Sequence, residues 1–327
     1  MRRSLTALCV GVAVGIAVYT PATRLSLLDI PPAPERPACP VATAEQCGTG
    51  VRVLFVGDLM LDRNVGKSAE AEGVEALFST STRELFADAD VRVANLEGTI
   101  TTNPSIARVN NKILHFTFNP TTAEQVLGLL QLTAVSLANN HSLDFGTDGY
   151  NETQNSLDST EVAFFGHPYN LPGKVSTVVE SNGKLFCFVG YHALFVSTTT
   201  PIVDEVKTLR PDCWRVIVFA HWGEEYETDS NAAQHAAAHA FIDAGADLVV
   251  GAHPHVVQDY EVYKGKAVFY SLGNFMFDQN FSWNTMHGLA VRADFYEDKT
   301  DFTLTPMDII EQHSSVATST VAEFSLP

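Results

Sequence analysis

The chain has 327 residues, 46% of them hydrophobic, enough to bury one large domain or two modest ones and too apolar for a disordered segment. Its formal charge is −18 at pH 7, and because residues 1–24 hold three Arg and no acid, the remainder stands at 17 minus 38, or −21. Such a surface repels polyanions, which argues against nucleic acid as a partner and asks any acidic polymer to find a local cationic site, such as a bound metal.

In chain order, Met1-Arg2-Arg3-Ser4 precedes fifteen uncharged residues, Leu5 to Tyr19. That is the pattern of a secretory signal peptide or an N-terminal membrane anchor. Arg2 and Arg3 ahead of the apolar run send the rest of the chain out of the cytoplasm. The expected location is therefore extracytoplasmic, membrane-anchored through an uncleaved N-terminus or secreted after cleavage. Six prolines between residues 21 and 48 deny the backbone donors of a packed element, so residues 25–50 read as a stalk after the 1–24 leader. The folded domain is expected over 51–315, with 316–327 a C-terminal tail. Apart from Cys9 in the apolar run, Cys39, Cys47, Cys187 and Cys213 form an even set that permits disulfides and admits three pairings.

From residue 51 the strand candidates are 51–56, 91–95, 133–138, 162–165, 184–190, 215–220 and 247–251, each a short run of β-branched and aromatic residues. Helical patterns lie at 72–88, at 121–132 entered through Asn119-Pro120, and at 231–244 ending on Gly245. This alternation predicts an α/β core. "YEVYKGKAVFYSL" and "LAVRADFYEDKTDFTLTPMDII" read as antiparallel hairpins, so the sheets are mixed and one sandwich domain accounts for the whole.

Five strands end in polar, metal-competent groups: Asp58, Glu97, Asn139-Asn140-His141, His221, and the pair His253 and His255. The carboxyl ends of strands in an open α/β sheet meet at one crevice, so these groups are expected to converge. Carboxylates, an amide oxygen and imidazoles together suit Mn, Fe or Zn. An extended His-Pro-His would send both imidazoles to the same side. His235 and His239, spaced i to i+4 in an alanine-rich helix, lack the Glu of a metalloprotease motif and read as a surface feature.

"VLFVGDLMLDR", "VANLEGTI", "SLANNHSLDFG", "FAHWGEEY" and "GAHPHVVQDYEVYKGKAVFYSLGNFMFD" resemble the ordered motifs of the capsule-synthesis CapA family, which is associated with poly-gamma-glutamate production and related to the calcineurin-like metallophosphoesterases. The resemblance spans roughly residues 51–280. It implies an α/β/β/α sandwich of two mixed sheets, metallophosphoesterase-like, with Asp58, Glu97, Asn140, His221, His253 and His255 as metal ligands and Glu97 as the bridging carboxylate. It further implies His141 as general acid. One departure is Met60, where the superfamily's Asp-x-His motif has its imidazole. One ion is therefore expected to be held tightly and a second weakly, with Asp62 as a substitute ligand.

The expected function is metal-dependent synthesis, transfer or release of a poly-gamma-glutamate-type polymer. The alternatives are a phosphoesterase of small substrates and a non-catalytic subunit of a membrane synthase. Trp222, Tyr226, Asn274 and Asp278, beside the ligand motifs, are candidate substrate contacts. Expected partners are a polymer or small-molecule substrate and membrane synthase subunits.

Overall fold

The computed structural model describes residues 23–25, 50–110, 112–319 and 321–327. The expected leader and nearly all of the stalk, with Cys39 and Cys47, lie outside the described residues. Continuous apolar runs become the central strands Val51–Leu59, Val91–Leu96, Lys184–His192, Arg215–His221 and Leu248–Ala252. Such runs are required of parallel strands covered on both faces.

Two mixed sheets form. In the first the spatial order is Thr23–Leu25, Tyr260–Tyr263, Lys266–Phe269, Leu248–Ala252, Arg215–His221, Lys184–His192 and Ser176–Ser181. In the second it is His313–Val316, Thr300–Ile310, His287–Phe295, Val51–Leu59, Val91–Leu96, Ala134–Ser136 and Ala163–Phe165. The short strand Asn274–Met276 also pairs with Val51–Leu59, in parallel.

The sheets face each other across a layer that includes Val53, Phe55 and Val93 from one and Phe188, Phe219 and Val250 from the other. Full burial of a side chain of this size contributes about 1.5–3 kcal/mol. Helices Arg63–Glu72, Thr80–Ala87, Pro120–Leu129 and Gly146–Ser159 cover the outer face of the second sheet, and Thr200–Leu209 and Ala232–Ala244 cover that of the first. The α/β/β/α sandwich of two mixed sheets is thus the observed architecture, and both expected hairpins are present as antiparallel pairs.

Three expectations are corrected. The helix read over 72–88 gives way to two helices, Arg63–Glu72 ahead of that span and Thr80–Ala87 within it, because Gly73 at φ 86 ends the first and Ser79 caps the second through the amide of Thr82. The first of them, Arg63–Glu72, buries only Val65, Gly66 and Ala69, too thin a stripe to show in the sequence. The C-terminal tail is not a tail: Ala322–Leu326 pairs antiparallel with Thr300–Ile310, and Phe324 stacks on Phe302 at 4.9 Å. At the other end of the chain, Thr23–Leu25, at the junction of the expected leader and stalk, pairs with Tyr260–Tyr263 on the edge of the first sheet.

Cys187 and Cys213 form a disulfide across a sequence separation of 26. Closing a loop of this length stabilises the fold by about 3–4 kcal/mol in the chain-entropy account. Among the described residues no helix is long and apolar enough to cross a membrane.

Candidate metal centre

Strand direction assembles the site. Val51–Leu59, Val91–Leu96 and Ala134–Ser136 run parallel in one sheet, Arg215–His221 and Leu248–Ala252 in the other, and the polar groups follow at their carboxyl ends. Gly57 is needed just before Asp58: a Cβ there would lie 1.8 Å from the carbonyl oxygen of Gly273. That close approach lets the Asp58 amide donate to the Gly273 carbonyl at 3.1 Å and sets Asn274 opposite Asp58.

Asp58 is fully buried and well supplied with donors. Its Oδ1 accepts from Asn95 Nδ2 at 2.7 Å and its Oδ2 from the His253 amide at 3.2 Å, with His255 Nδ1 also 3.2 Å away. Burial acts to raise its pKa, but His255 and the other donors overcome this and hold the carboxylate below its ordinary range. Glu97 is the opposite case. It is equally buried, and among the described residues neither carboxylate oxygen has a hydrogen-bond partner. Burial first, and then the negative charge of Asp58, push its pKa well above the usual value. An unpartnered buried carboxylate of this kind calls for a cation.

The imidazoles are arranged around these two acids. Asp58, Glu97 and His221 offer ligand atoms that all lie within 4.8 Å of one another, and so do Glu225, His253 and His255. His221 Nε2 is 2.7 Å from Asn140 Oδ1, and the His221 and His253 rings are 4.7 Å apart. Burial drives His221 well below the ordinary imidazole value and His253 down to about 3, so both present neutral lone pairs, and His253 Nδ1 is a further buried atom without a partner. His255 Nε2 lies 3.7 Å from Glu97 Oε1, while its Nδ1 meets Asn274 Oδ1 at 3.0 Å. The donor set and the orphaned Glu97 fit a divalent ion bound by nitrogen and oxygen.

The His-Pro-His segment reaches the site by a different route from the extended one expected. His253 has φ 96 and His255 φ 58, left-handed values that cost roughly 1–3 kcal/mol each outside glycine. The two rings are 6.0 Å apart, with His253 turned to His221 and His255 to Asp58 and Glu97.

His141 stands over Glu97, its Nε2 3.8 Å from Glu97 Oε1. Its Nδ1 is 2.8 Å from Asp144 Oδ2, and its ring packs on Phe116 at 4.3 Å. An acid oriented by a carboxylate on its far nitrogen can present a proton at Nε2. Met60 and Asp62 lie apart from this chemistry. Met60 is packed in the helix-side core with its sulfur 3.0 Å from the Asp62 amide. Asp62 caps helix Arg63–Glu72 and also takes bonds from Ser105, Arg108 and Thr117, so no oxygen is left to replace an imidazole.

A family model described as bacterial capsule synthesis protein PGA_cap matches residues 52–279, which include every group above. The chain belongs to this family. It is 31% identical over 274 residues to the PGA biosynthesis protein CapA of Bacillus subtilis (strain 168), covering 79% of this chain and 71% of that one. It is 30% identical over 248 residues to the capsule biosynthesis protein CapA of Bacillus anthracis, covering 70% of this chain and 60% of that one. Among solved structures, a hypothetical protein from Thermus thermophilus aligns over 84% of this chain and 98% of its own at 17% identity, with a TM-score of 0.47. The calcineurin-like phosphoesterase YfkN from Bacillus subtilis aligns over 85% and 90% at 13% identity, with a TM-score of 0.39.

In this PGA_cap chain the four expected substrate contacts separate. Tyr226 is at the mouth, 43% exposed, its ring 6.1 Å from that of His255. Asp278 is at the rim, ion-paired with Arg63 Nη2 at 2.9 Å and accepting the Asn64 amide. Asn274 is buried behind His255 and is tied to Gln279 and to the Thr285 carbonyl, a placement that orients the imidazole. Trp222 is turned into the outer core, where its Nε1 donates to the Tyr270 carbonyl at 2.8 Å, because the residue after His221 points to the opposite face of the strand.

Several site groups escaped the sequence reading. Asn95 bridges Asp58, His221 and Asn139, and Asp144 orients His141. Glu225 joins the His-Pro-His imidazoles, and Arg63 brings a cation over the Phe116 ring at 5.7 Å. His192 ends a strand in register with His221, its Nδ1 held by the Pro168 carbonyl at 2.7 Å and its Nε2 buried without a partner. All but His192 sit inside the quoted motif strings, and that adjacency was the signal available.

Proposed function

We propose that this capsule-synthesis chain is a metal-dependent enzyme acting outside the cytoplasm on a poly-gamma-glutamate-type polymer, in its transfer or release. The observation that carries the reading is the orphaned, buried Glu97 carboxylate at the meeting point of Asp58, His221, His255 and His141. Asp58, Glu97, Asn140, His221, His253 and His255 would hold the ion, with Glu225 at the open side. A bound divalent ion supplies Lewis acidity at a carbonyl or phosphoryl oxygen and a water of lowered pKa.

The chain's own residues supply the rest. In amide cleavage the carbonyl–nitrogen bond breaks, the oxygen of a water that releases one proton to solvent joins the carbonyl carbon, and the leaving nitrogen takes a proton. His141 gives that proton from Nε2 while Asp144 retains the proton on Nδ1, which leaves a neutral imidazole correctly oriented. Tyr226 lies at the approach, and Arg63 stands at the rim in its ion pair with Asp278. The Cys187–Cys213 disulfide supports an oxidising location, and the uncharged Leu5–Tyr19 run supports export.

The test is an assay of the purified chain with polyglutamate and with a generic aryl phosphate, each with and without chelator. Polymer turnover that chelator abolishes is expected, with His141→Ala keeping its metal and losing turnover. Ester turnover alone would make the protein a phosphoesterase of small substrates. Neither activity would make it a non-catalytic synthase subunit.

A further inference from the structure

On the far side of the first sheet, helix Ala232–Ala244 lays His235 and His239 against strand Tyr260–Tyr263, and the reading of this pair as a surface feature is corrected. The i, i+4 spacing puts both imidazoles on one face of the helix. Glu261, only 1% exposed, points between them: its Oε2 is 2.8 Å from His235 Nδ1 and its Oε1 contacts His239 Nε2. Tyr270 Oη lies 2.8 Å from Glu261 Oε2 and 2.6 Å from His235 Nδ1.

We infer that His235, His239 and Glu261 form a second divalent-metal site, of zinc type, separate from the crevice at the strand ends. The three ligand atoms lie within 4.8 Å of one another. Ligands on one zinc at about 2.0–2.2 Å stand roughly 3–3.6 Å apart, so small side-chain shifts suffice. Two imidazoles and a carboxylate are a complete protein ligand set for zinc, with a fourth position for water or the Tyr270 hydroxyl.

The surroundings are those of a prepared site. Ser230 Oγ holds His235 Nε2 at 2.9 Å and so directs Nδ1 inward, as an outer partner does for a metal-bound imidazole. His239 is fixed by stacking on Tyr263 at 3.7 Å. Among the described residues the ion pairs of the buried Glu261 carboxylate run to these two imidazoles, so the carboxylate and both ring nitrogens face one point. With 15% and 25% of their side chains exposed, His235 and His239 leave an ion a path from solvent. Bound there, zinc would pin the helix to strand Tyr260–Tyr263.

The experiment titrates zinc into the metal-free full chain and counts equivalents by equilibrium dialysis and elemental analysis. His239→Gln, which keeps a donor for Glu261, should lose one equivalent, as should Glu261→Gln. His253→Ala should lose crevice zinc instead, and the losses in the His239→Gln, His253→Ala double variant should add. Unchanged stoichiometry in a folded His239→Gln or Glu261→Gln chain overturns the site. Should both variants misfold, zinc-edge anomalous diffraction from zinc-soaked crystals of the unmodified chain decides. A peak bonded to His239 Nε2 upholds the site, and no peak there removes it. Neither result depends on what the crevice catalyses.

Discussion

The crevice and the helix-side cluster are built from the same residue types and solve the burial of a carboxylate in opposite ways. Glu97 has no donor among the described residues, and its burial beside Asp58 drives its pKa up. For Glu261, burial pushes the same way, but hydrogen bonds from His239, Tyr270 and His235 win and hold it below its ordinary value. Among the described residues the crevice leaves its carboxylate without a hydrogen-bond partner, whereas the cluster meets its own with hydrogen bonds. Zinc must displace those hydrogen bonds at the cluster, so the crevice should fill first. A metal centre is recognised less by its ligand types than by what is left unsatisfied around them.

The comparison breaks most visibly at Glu97. Glu97→Gln should abolish the rise in melting temperature that divalent metal gives the unmodified chain, read by calorimetry with and without chelator, together with any metal-dependent turnover. A retained metal-induced shift would place the crevice ion elsewhere.

The next effect is of opposite sign at the two carboxylates. In metal-free protein at pH 7, Glu261→Gln should cost about 2–4 kcal/mol, because it leaves a hydrogen-bond network unmatched. Glu97→Gln should instead raise the melting temperature by a few degrees, at roughly 2–4 °C per kcal/mol. The pH dependence follows from the shifts. A depressed carboxyl such as Glu261 stabilises above its unfolded value near 4.5, and that contribution disappears as pH falls through the folded value. A raised carboxyl such as Glu97 stabilises fully below its unfolded value and loses that contribution as pH rises through the folded one. Both mutational differences should therefore shrink toward pH 4. Equal signs at pH 7 would end the contrast.

A smaller effect probes the proton donor. Asp144→Asn should leave the crevice metal in place and lower turnover about 10–100-fold, with an altered pH profile, since Asp144 acts through His141. A pure loss of stability with an unchanged profile would make Asp144 structural. Smallest is Met60→Leu, a volume-conserving change in the helix-side core. It should cost less than about 1.5 kcal/mol and change no metal equivalent. Loss of an equivalent would return the sulfur to the crevice.

Much of this was legible in the sequence where burial repeats along the chain. The strand at 215–221 announces itself because six of its seven residues are buried and most are apolar. Helix Gly146–Ser159 does not, since its buried positions include Gly149 and Thr153, which carry no apolar signal. At the site, strand-end logic brought six ligand candidates and His141 to one crevice across two hundred residues. It could not show that His253 and His255 turn through positive φ, because propensity does not favour that conformation for histidine. Nor could it separate Asp62, a helix cap, from Asp58, four residues earlier, since both stand at the carboxyl end of one strand. Glu261 was invisible for a related reason: a single acid in a short strand shows its role only when the helix opposite is in place.

The Cys187–Cys213 bond also bears on how long the molecule lasts. It joins one strand that ends on His192 to the threshold of the next, which ends on His221, and the loop between them exposes Leu194 and Phe195. A protease cutting at those side chains would open the backbone without parting the two strands. On a denaturing gel such a nicked chain would run as one band until a reductant is added, so accumulated damage at this loop need not disperse the crevice.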